Sequence, residues 1–421
     1  MKLRLLALLI TTAAALSQVA SGEEYWSQFR GPRGNASASG ATPVKWSDDE
    51  NMIWKSPLPG RGASSPIVWG DRVFLTAFDG YGLDEEEPGD KADLKLHVLC
   101  LELASGKLLW DQSIAANPRT QGLTRRVADH GYATSTPVTD GEAVYAFFGV
   151  SGVIAFDFDG NEMWRRDVGD GSAGFGTASS PVVHGDLVYV NASIESKTLF
   201  ALDRKSGEVV WKVGEINRAW TSPCIGRTAS GVAELVLNQK DTVYGFDPAT
   251  GKQLWSCDGI HDYVVPVPVT HQGVVYCLGG RSNRCLAIRL GGRGDVTDTH
   301  KLWEVTTGAN VTSPVHFQGR LYWASDKGVA NCLDAKTGES IFRERLPTRS
   351  RIYASIVRAG SKLYVTTRDK GVLVLNAAEK YEELARNVIA DDQDMMNASP
   401  AIIGDRLLLR TDSFLYCVGQ K

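Results

Sequence analysis

The sequence predicts an all-β chain, an eight-bladed β-propeller of four-stranded antiparallel blades over residues 51–421. Three observations carry this expectation. A proline-led apolar strand opens one unit after another. A tight acidic–glycine corner ending in tryptophan recurs between those openings. The last unit lacks its outer strand, and a matching strand stands near the other end of the chain.

The unit that begins Ser179-Ser180-Pro181 displays the mechanics. Pro181 starts a strand where no ladder donor is needed. Gly185-Asp186 is a two-residue hairpin turn, residues 187–191 return, and residues 199–203 form a third strand. The chain then turns tightly from Asp203 to Gly207, with glycine at the left-handed position, and residues 208–211 make an outer strand ending in Trp211. The opening recurs at Pro66, Pro137, Pro181, Pro223, Pro268, Pro314, Ile356 and Pro400, mostly about 44 residues apart, the length of one blade. The first interval is longer by one large insertion. The corner recurs before Trp110, Trp164, Trp255 and Phe342. Trp303 ends the fifth copy and Leu384 the seventh, whose corner has lost its glycine. If that degenerate seventh unit is not a blade, the count falls to seven.

The eighth unit stops at Tyr416-Cys417-Val418. Asn51-Met52-Ile53-Trp54 carries the missing outer strand, so Ile53 and Trp54 are expected to pair with the last blade. Such closure removes a free sheet edge.

Residues 1–22 read as a signal peptide: Lys2 and Arg4, an apolar run over 5–16, then small residues at Ala20, Ser21 and Gly22. A periplasmic or secreted protein is therefore expected after its removal, with 23–50 as a leader segment and no transmembrane segment in the mature chain. Export permits disulfides, and there are seven cysteines. Cys100, Cys332 and Cys417 stand where other units have Ala155, Ala201 and Gly245, which marks them as buried packing thiols. Cys277 and Cys285, flanking a short hairpin, are the one local pair to consider for a disulfide. No Cys-x-x-Cys and no His-Glu-x-x-His occurs, so no metal site is signalled. The net charge is -4 with no basic block, which excludes a nucleic-acid partner. The insertion over 79–95, with Asp84 to Glu87 and Asp90, matches no calcium loop and reads as a solvated acidic loop. The connection over 115–132, with Arg119, Arg125, Arg126 and His130, is long for a compact fold.

The Asp-x-x-Thr/Ser-Gly-x-x-x-Trp corner at this period resembles the pyrroloquinoline-quinone (PQQ)-type repeat. The resemblance spans about residues 51–421 and implies eight blades, with Trp54, Trp110, Trp164, Trp211, Trp255 and Trp303 as structural side chains docking neighbouring blades. That family includes quinone-dependent dehydrogenases, a periplasmic scaffold of the outer-membrane assembly machine, and secreted propellers of unknown role. Trp26-Ser27-Gln28-Phe29-Arg30-Gly31-Pro32 resembles the leader of the last group. The quinone enzymes carry adjacent cysteines and calcium-ligating acids and amides. Neither pattern is present, so no cofactor, metal or catalytic residue is assigned, and PQQ with calcium is kept as the alternative.

Repeated corners make scaffold, so departures from the repeat are where function is sought. The segments leading into each opening strand differ from unit to unit. They hold Arg61, His130, Tyr132, Phe175, Arg218, Trp220, Asp262, Tyr263, Asn310, Arg351, Tyr353, Asp394 and Asn397. In a propeller these segments flank the central channel, where they are expected to shape a polar, aromatic binding mouth. The function expected is that of an exported, non-catalytic scaffold, monomeric, binding a ligand or a protein. Its partner would be an envelope protein, a polysaccharide or a small molecule. The alternatives are a PQQ-dependent oxidoreductase with a diverged site and an envelope-assembly scaffold. The lack of a lipid-anchor cysteine near the cleavage region weighs against the latter.

Overall fold

The computed structural model describes residues 25–420; the segment read as a signal peptide lies outside them. The chain forms eight antiparallel sheets in a ring. Every opening strand begins one residue after its proline, or after Ile356. These are Ile67–Trp69, Val138–Thr139, Val182–His184, Cys224–Arg227, Val269–His271, Val315–Phe317, Val357–Ala359 and Ala401–Ile403, which open blades 1 to 8. The degenerate seventh unit is a complete blade, continuing through Lys362–Thr366, Val372–Asn376 and Glu383–Asn387. Blade 8 is closed by Met52–Pro57, which pairs antiparallel with Phe414–Val418 and sets Trp54 opposite Cys417.

The corner and the outer tryptophan form one joint. The indole N–H donates to a corner carbonyl of the next blade: Trp54 to Leu103, Trp110 to Phe158, Trp164 to Arg204, Trp211 to Pro248 and Trp303 to Ala335, at 2.8–3.1 Å. The corner glycine is there for space as well as for its backbone. Gly207 has φ +69°, and a Cβ on it would lie 2.4 Å from the Trp164 ring. Each indole also lies across its own third strand, so the residue opposite it is small. The pairs are Ala155 with Trp164, Ala201 with Trp211, Cys100 with Trp110, and Cys417 with Trp54. Blade 6 ends in Phe342, which has no donor, and there the Tyr322 hydroxyl donates to Ala378 O of blade 7 instead.

Trp255 departs from the pattern. The fifth unit replaces its corner with an insertion whose Gly294–Asp295 strand pairs parallel with Gln253–Asp258. With no corner to receive it, the indole folds over Gly245 and donates to the buried carboxylate of Glu234 at 2.8 Å. Glu234 also accepts from Gly291 N and from Arg293, both in the insertion. The joint between blades 4 and 5 thus runs through a buried carboxylate paired to an exposed arginine.

All seven cysteines are free and buried. The Cys277–Cys285 pair forms no disulfide. Cys277 stands opposite Leu286 and Cys285 opposite Leu278, so their side chains point to opposite faces of blade 5 and enter different packing clusters.

The leader is woven into the ring. Tyr25–Trp26 pairs with the innermost strand of blade 1, and Ser37–Ala38 pairs parallel with that of blade 7. Between them Ser27 O accepts from Thr139 N of blade 2, and Arg30 donates to Pro314 O of blade 6. All but the Arg30 bond lie toward the turn end of the opening strands, so the leader closes one end of the central channel. It then runs along blade 7, where Trp46 N donates to Asn387 Oδ1 at 3.0 Å, before becoming the outer strand of blade 8.

A funnel between a floor and an arm

A cavity of about 450 Å³ occupies the other end of the channel. Its wall is a circle of hydroxyls set by the residue before each opening proline. Ser65 N donates to Thr136 Oγ1, Thr136 N to Ser180 Oγ, and Ser180 N to Ser222 Oγ. The series resumes from Val267 N to Ser313 Oγ, then to Ser355 and Ser399, at 2.8–3.0 Å. Val267 interrupts it because valine has no acceptor. These bonds hold neighbouring blades in register and line the funnel with satisfied polar groups.

Phe29 of the leader lines the cavity beside this wall and forms its floor. The long connection between blades 1 and 2 lies over the mouth as an arm. Its short helix, Arg125–Ala128, is capped by Thr124. From it Arg126 stacks on Phe175, 5.0 Å from the ring centre. Asp129 accepts from Arg368 of blade 7 through its side chain and its carbonyl, both at 2.9 Å. Asn397 also donates to Asp129 O. The arm therefore ties blade 2 to blades 7 and 8 across the opening. His130 is held at 2.6 Å from Thr134 Oγ1, and burial pushes its pKa down, so the ring stays neutral near pH 7.

Of the residues expected at the mouth, His130, Phe175, Trp220, Tyr263, Asn310, Arg351, Tyr353 and Asn397 line the cavity. Five do not. Arg61 turns away to Leu83 O and Asp412. Tyr132, at the end of the arm, packs edge-on against Phe78. Asp262 accepts from Tyr263 N and Arg281 N, and so fixes the turn that presents Arg281. Arg218 lies behind the Tyr263 ring, 6.0 Å from its centre. Asp394 N donates to Asp392 Oδ1 in its own turn. Sequence reasoning missed Phe29, Arg281, Asp326 and Lys327 as lining residues. The last three sit in the turns between second and third strands, which end on the same face of the ring as the lead-in segments. Their signal was that these turns also vary from blade to blade.

Phe175, Trp220 and Tyr263 form a mutually touching aromatic wall, with centroids 5.8–6.0 Å apart. Arg281 lies 5.3 Å from the Tyr263 ring centre, and Arg351 donates to Tyr353 OH at 3.0 Å. Among the described residues no cluster of His, Cys, Asp and Glu is arranged to hold a metal ion, and no helix is long and apolar enough to cross a membrane.

The chain is similar to a tetrathionate hydrolase from Acidithiobacillus ferrooxidans, 22% identical over 75% of this chain and 64% of that protein, so the match spans less than two thirds of the relative. In fold it is similar to BamB from Moraxella catarrhalis, with a TM-score of 0.59 at 14% identity, covering 87% of this chain and 99% of that one. It is also similar to the quinohemoprotein alcohol dehydrogenase of Comamonas testosteroni, with a TM-score of 0.65 at 12% identity, covering 94% and 81%. The family described as outer membrane protein assembly factor BamB matches residues 20–213 and 239–413. Together with the eight blades and the closed ring, that match places the chain in the BamB-type family of PQQ-like β-propellers.

Proposed function

We propose that this is an exported, non-catalytic propeller that binds a small molecule in its central funnel. The observation that supports this most is the pairing of floor and arm. The leader closes one end of the channel and the connection over 115–132 reaches across the other. What remains is about 450 Å³, the size of a small-ligand site. A protein partner would meet only the rim of such a space. The funnel offers a calcium-bound quinone few donors. Of the two carboxylates on the lining, Asp129 is taken by Arg368, which leaves Asp326 and the unpartnered amide oxygens of Asn310 and Asn397, whereas calcium takes about six to eight oxygens.

The test is a thermal-shift screen of wild type and Ala178→Trp, which fills the funnel from a lining position. The panel holds disaccharides, dipeptides, tetrathionate, and PQQ with calcium. At least one compound should raise the melting temperature of wild type and leave the variant unmoved. A blank panel beside a retained protein partner would turn the reading toward a scaffold. The relative's name favours a second reading, action on tetrathionate, so turnover of that compound is followed in the same samples. Reduction of a dye with PQQ, calcium and an alcohol panel would restore the oxidoreductase alternative.

A further inference from the structure

The charges around the funnel are unbalanced. Arg126, Arg281, Lys327 and Arg351 all line it, and none has an ion-pair partner among the described residues. The carboxylates facing them are Asp129, held by Arg368, and Asp326, with Asp262 beside Arg281. Deeper in the structure two more guanidinium groups are buried without a carboxylate bonded to them. Arg30, in the leader, spends Nε and Nη2 on the carbonyls of Gly34 and Pro314, and its Nη1 has no partner. Arg410 donates to Ser64 and Thr76 beside the wall, with Nε and Nη2 unpartnered and the Asp412 carboxylate acting on it without a hydrogen bond. This excess of positive charge stands inside a chain whose net charge is -4. A concave site that concentrates one sign of charge attracts the other.

The arrangement of the cations adds a second constraint. Arg126 stands over Phe175, which leads into blade 3, while Arg351 leads into blade 7. Blades 3 and 7 lie half a turn apart in a ring of eight. Lys327, in blade 6, adjoins the Arg351 side, and Arg281, in blade 5, lies between the two. A single compact anion would satisfy one side and leave the other unpaired. A longer molecule with an anionic group at each end would satisfy both, its middle lying along the aromatic wall of Trp220 and Tyr263.

We infer that the funnel takes an elongated small molecule carrying two separated anionic groups, one held by Arg126 and the other by Arg351 with Lys327. This rests on the small-molecule reading above and names the class of ligand. Arg126, Arg351 and Lys327 are all exposed, so replacing them leaves the fold intact.

The test is calorimetric titration with straight-chain α,ω-dicarboxylates and α,ω-disulfonates of increasing length, with the matching monoanions and neutral diols as controls. Bis-anions should bind about tenfold or more tightly than monoanions of equal length, with an optimum length and strong weakening in added salt. Arg126→Gln and Arg351→Gln should each cost about tenfold for the bis-anion, and the double variant should bind it no better than a monoanion. A bis-anion that binds no better than its monoanion, or that ignores both substitutions, overturns the inference. So does failure of every bis-anion to bind. If neutral members of the screen still bind wild type and not Ala178→Trp, the small-molecule reading survives that outcome. If they do not, both fall.

Discussion

Trp211 and Trp220 lie nine residues apart and are almost equally buried, 9% and 7% exposed. They have different work. Trp211 ends an outer strand, donates to Pro248 O of the next blade and covers Ala201 of its own. It has counterparts around the ring. Trp220 leads into blade 4, donates to Gly176 O, and turns its face to the funnel. Three residues before the other openings its equivalents are Ala63, Thr134, Ala178, Val265, Val311, Tyr353 and Asn397. Burial does not separate the two roles; recurrence does. A residue that returns at every period answers a demand of the ring, because each blade presents the same neighbour to the next. A residue that changes from blade to blade is free of that demand and available to a ligand.

The comparison breaks most severely at the closure. Deleting residues 51–56 removes the outer strand of blade 8 and, with Trp54, the joint to blade 1. Loss of a buried tryptophan alone costs about 3–5 kcal/mol, and the exposed edge of Phe414–Val418 adds to it. The deletion should lower the melting temperature by about 5–10 °C at least, or abolish the cooperative transition, in circular dichroism melts. An unchanged melt would mean that the ring holds without its closing strand, and that recurrence at the rim is not a stability demand.

The rim was legible in the sequence because its parts are local and repeated. The proline, the turn and the glycine corner each leave a mark within a few residues, and eight copies reinforce one another. Trp255 misled because the corner it needed is absent from the next unit, and its partner Glu234 lies 21 residues back in its own blade. The funnel was half legible. Variation in the lead-in segments pointed to Trp220, Tyr263 and Tyr353. The floor and arm were not readable, because they rest on contacts such as Asp129 with Arg368, 239 residues apart, that no local pattern encodes. The leader resembled a motif, but nothing in its residues announced that Phe29 would face the channel.

A smaller effect sharpens the comparison at a non-recurring residue beneath the arm. Glu195 is buried beside Gly149, accepts a hydrogen bond from Thr177 through Oε1, and has no partner for Oε2. Burial raises its pKa from 4.5 to about 7. The unfolded chain releases this proton near its ordinary value and the folded chain only near 7, so folded protein holds more protons between those limits. Stability therefore falls as pH rises through that window, by up to about 3 kcal/mol. Glu195→Gln keeps an acceptor for Thr177 and removes the ionisation. Its melting temperature should exceed that of wild type at pH 8 and approach it at pH 5. Parallel pH profiles would show that Glu195 has a counter-charge or solvent path.

The smallest expected effect separates two arginines that the sequence treats alike. Arg218-Ala219-Trp220 and Arg351-Ile352-Tyr353 share one pattern, an arginine two residues before a funnel aromatic. The aromatic decides what the arginine does. Tyr353 offers a hydroxyl oxygen that accepts from Arg351, which holds the guanidinium at the lining. Trp220 has only an N–H, already given to Gly176 O, and an indole donor cannot receive a guanidinium N–H. Arg218 is left exposed behind Tyr263. Arg218→Ala should change stability by no more than about 0.5 kcal/mol and bis-anion affinity by less than about twofold, against about tenfold for Arg351→Gln. Calorimetry on the two variants side by side makes the comparison. A tenfold loss in Arg218→Ala would place its guanidinium in the funnel when ligand is bound, and would move the blade 3 end of the site from the arm to the wall.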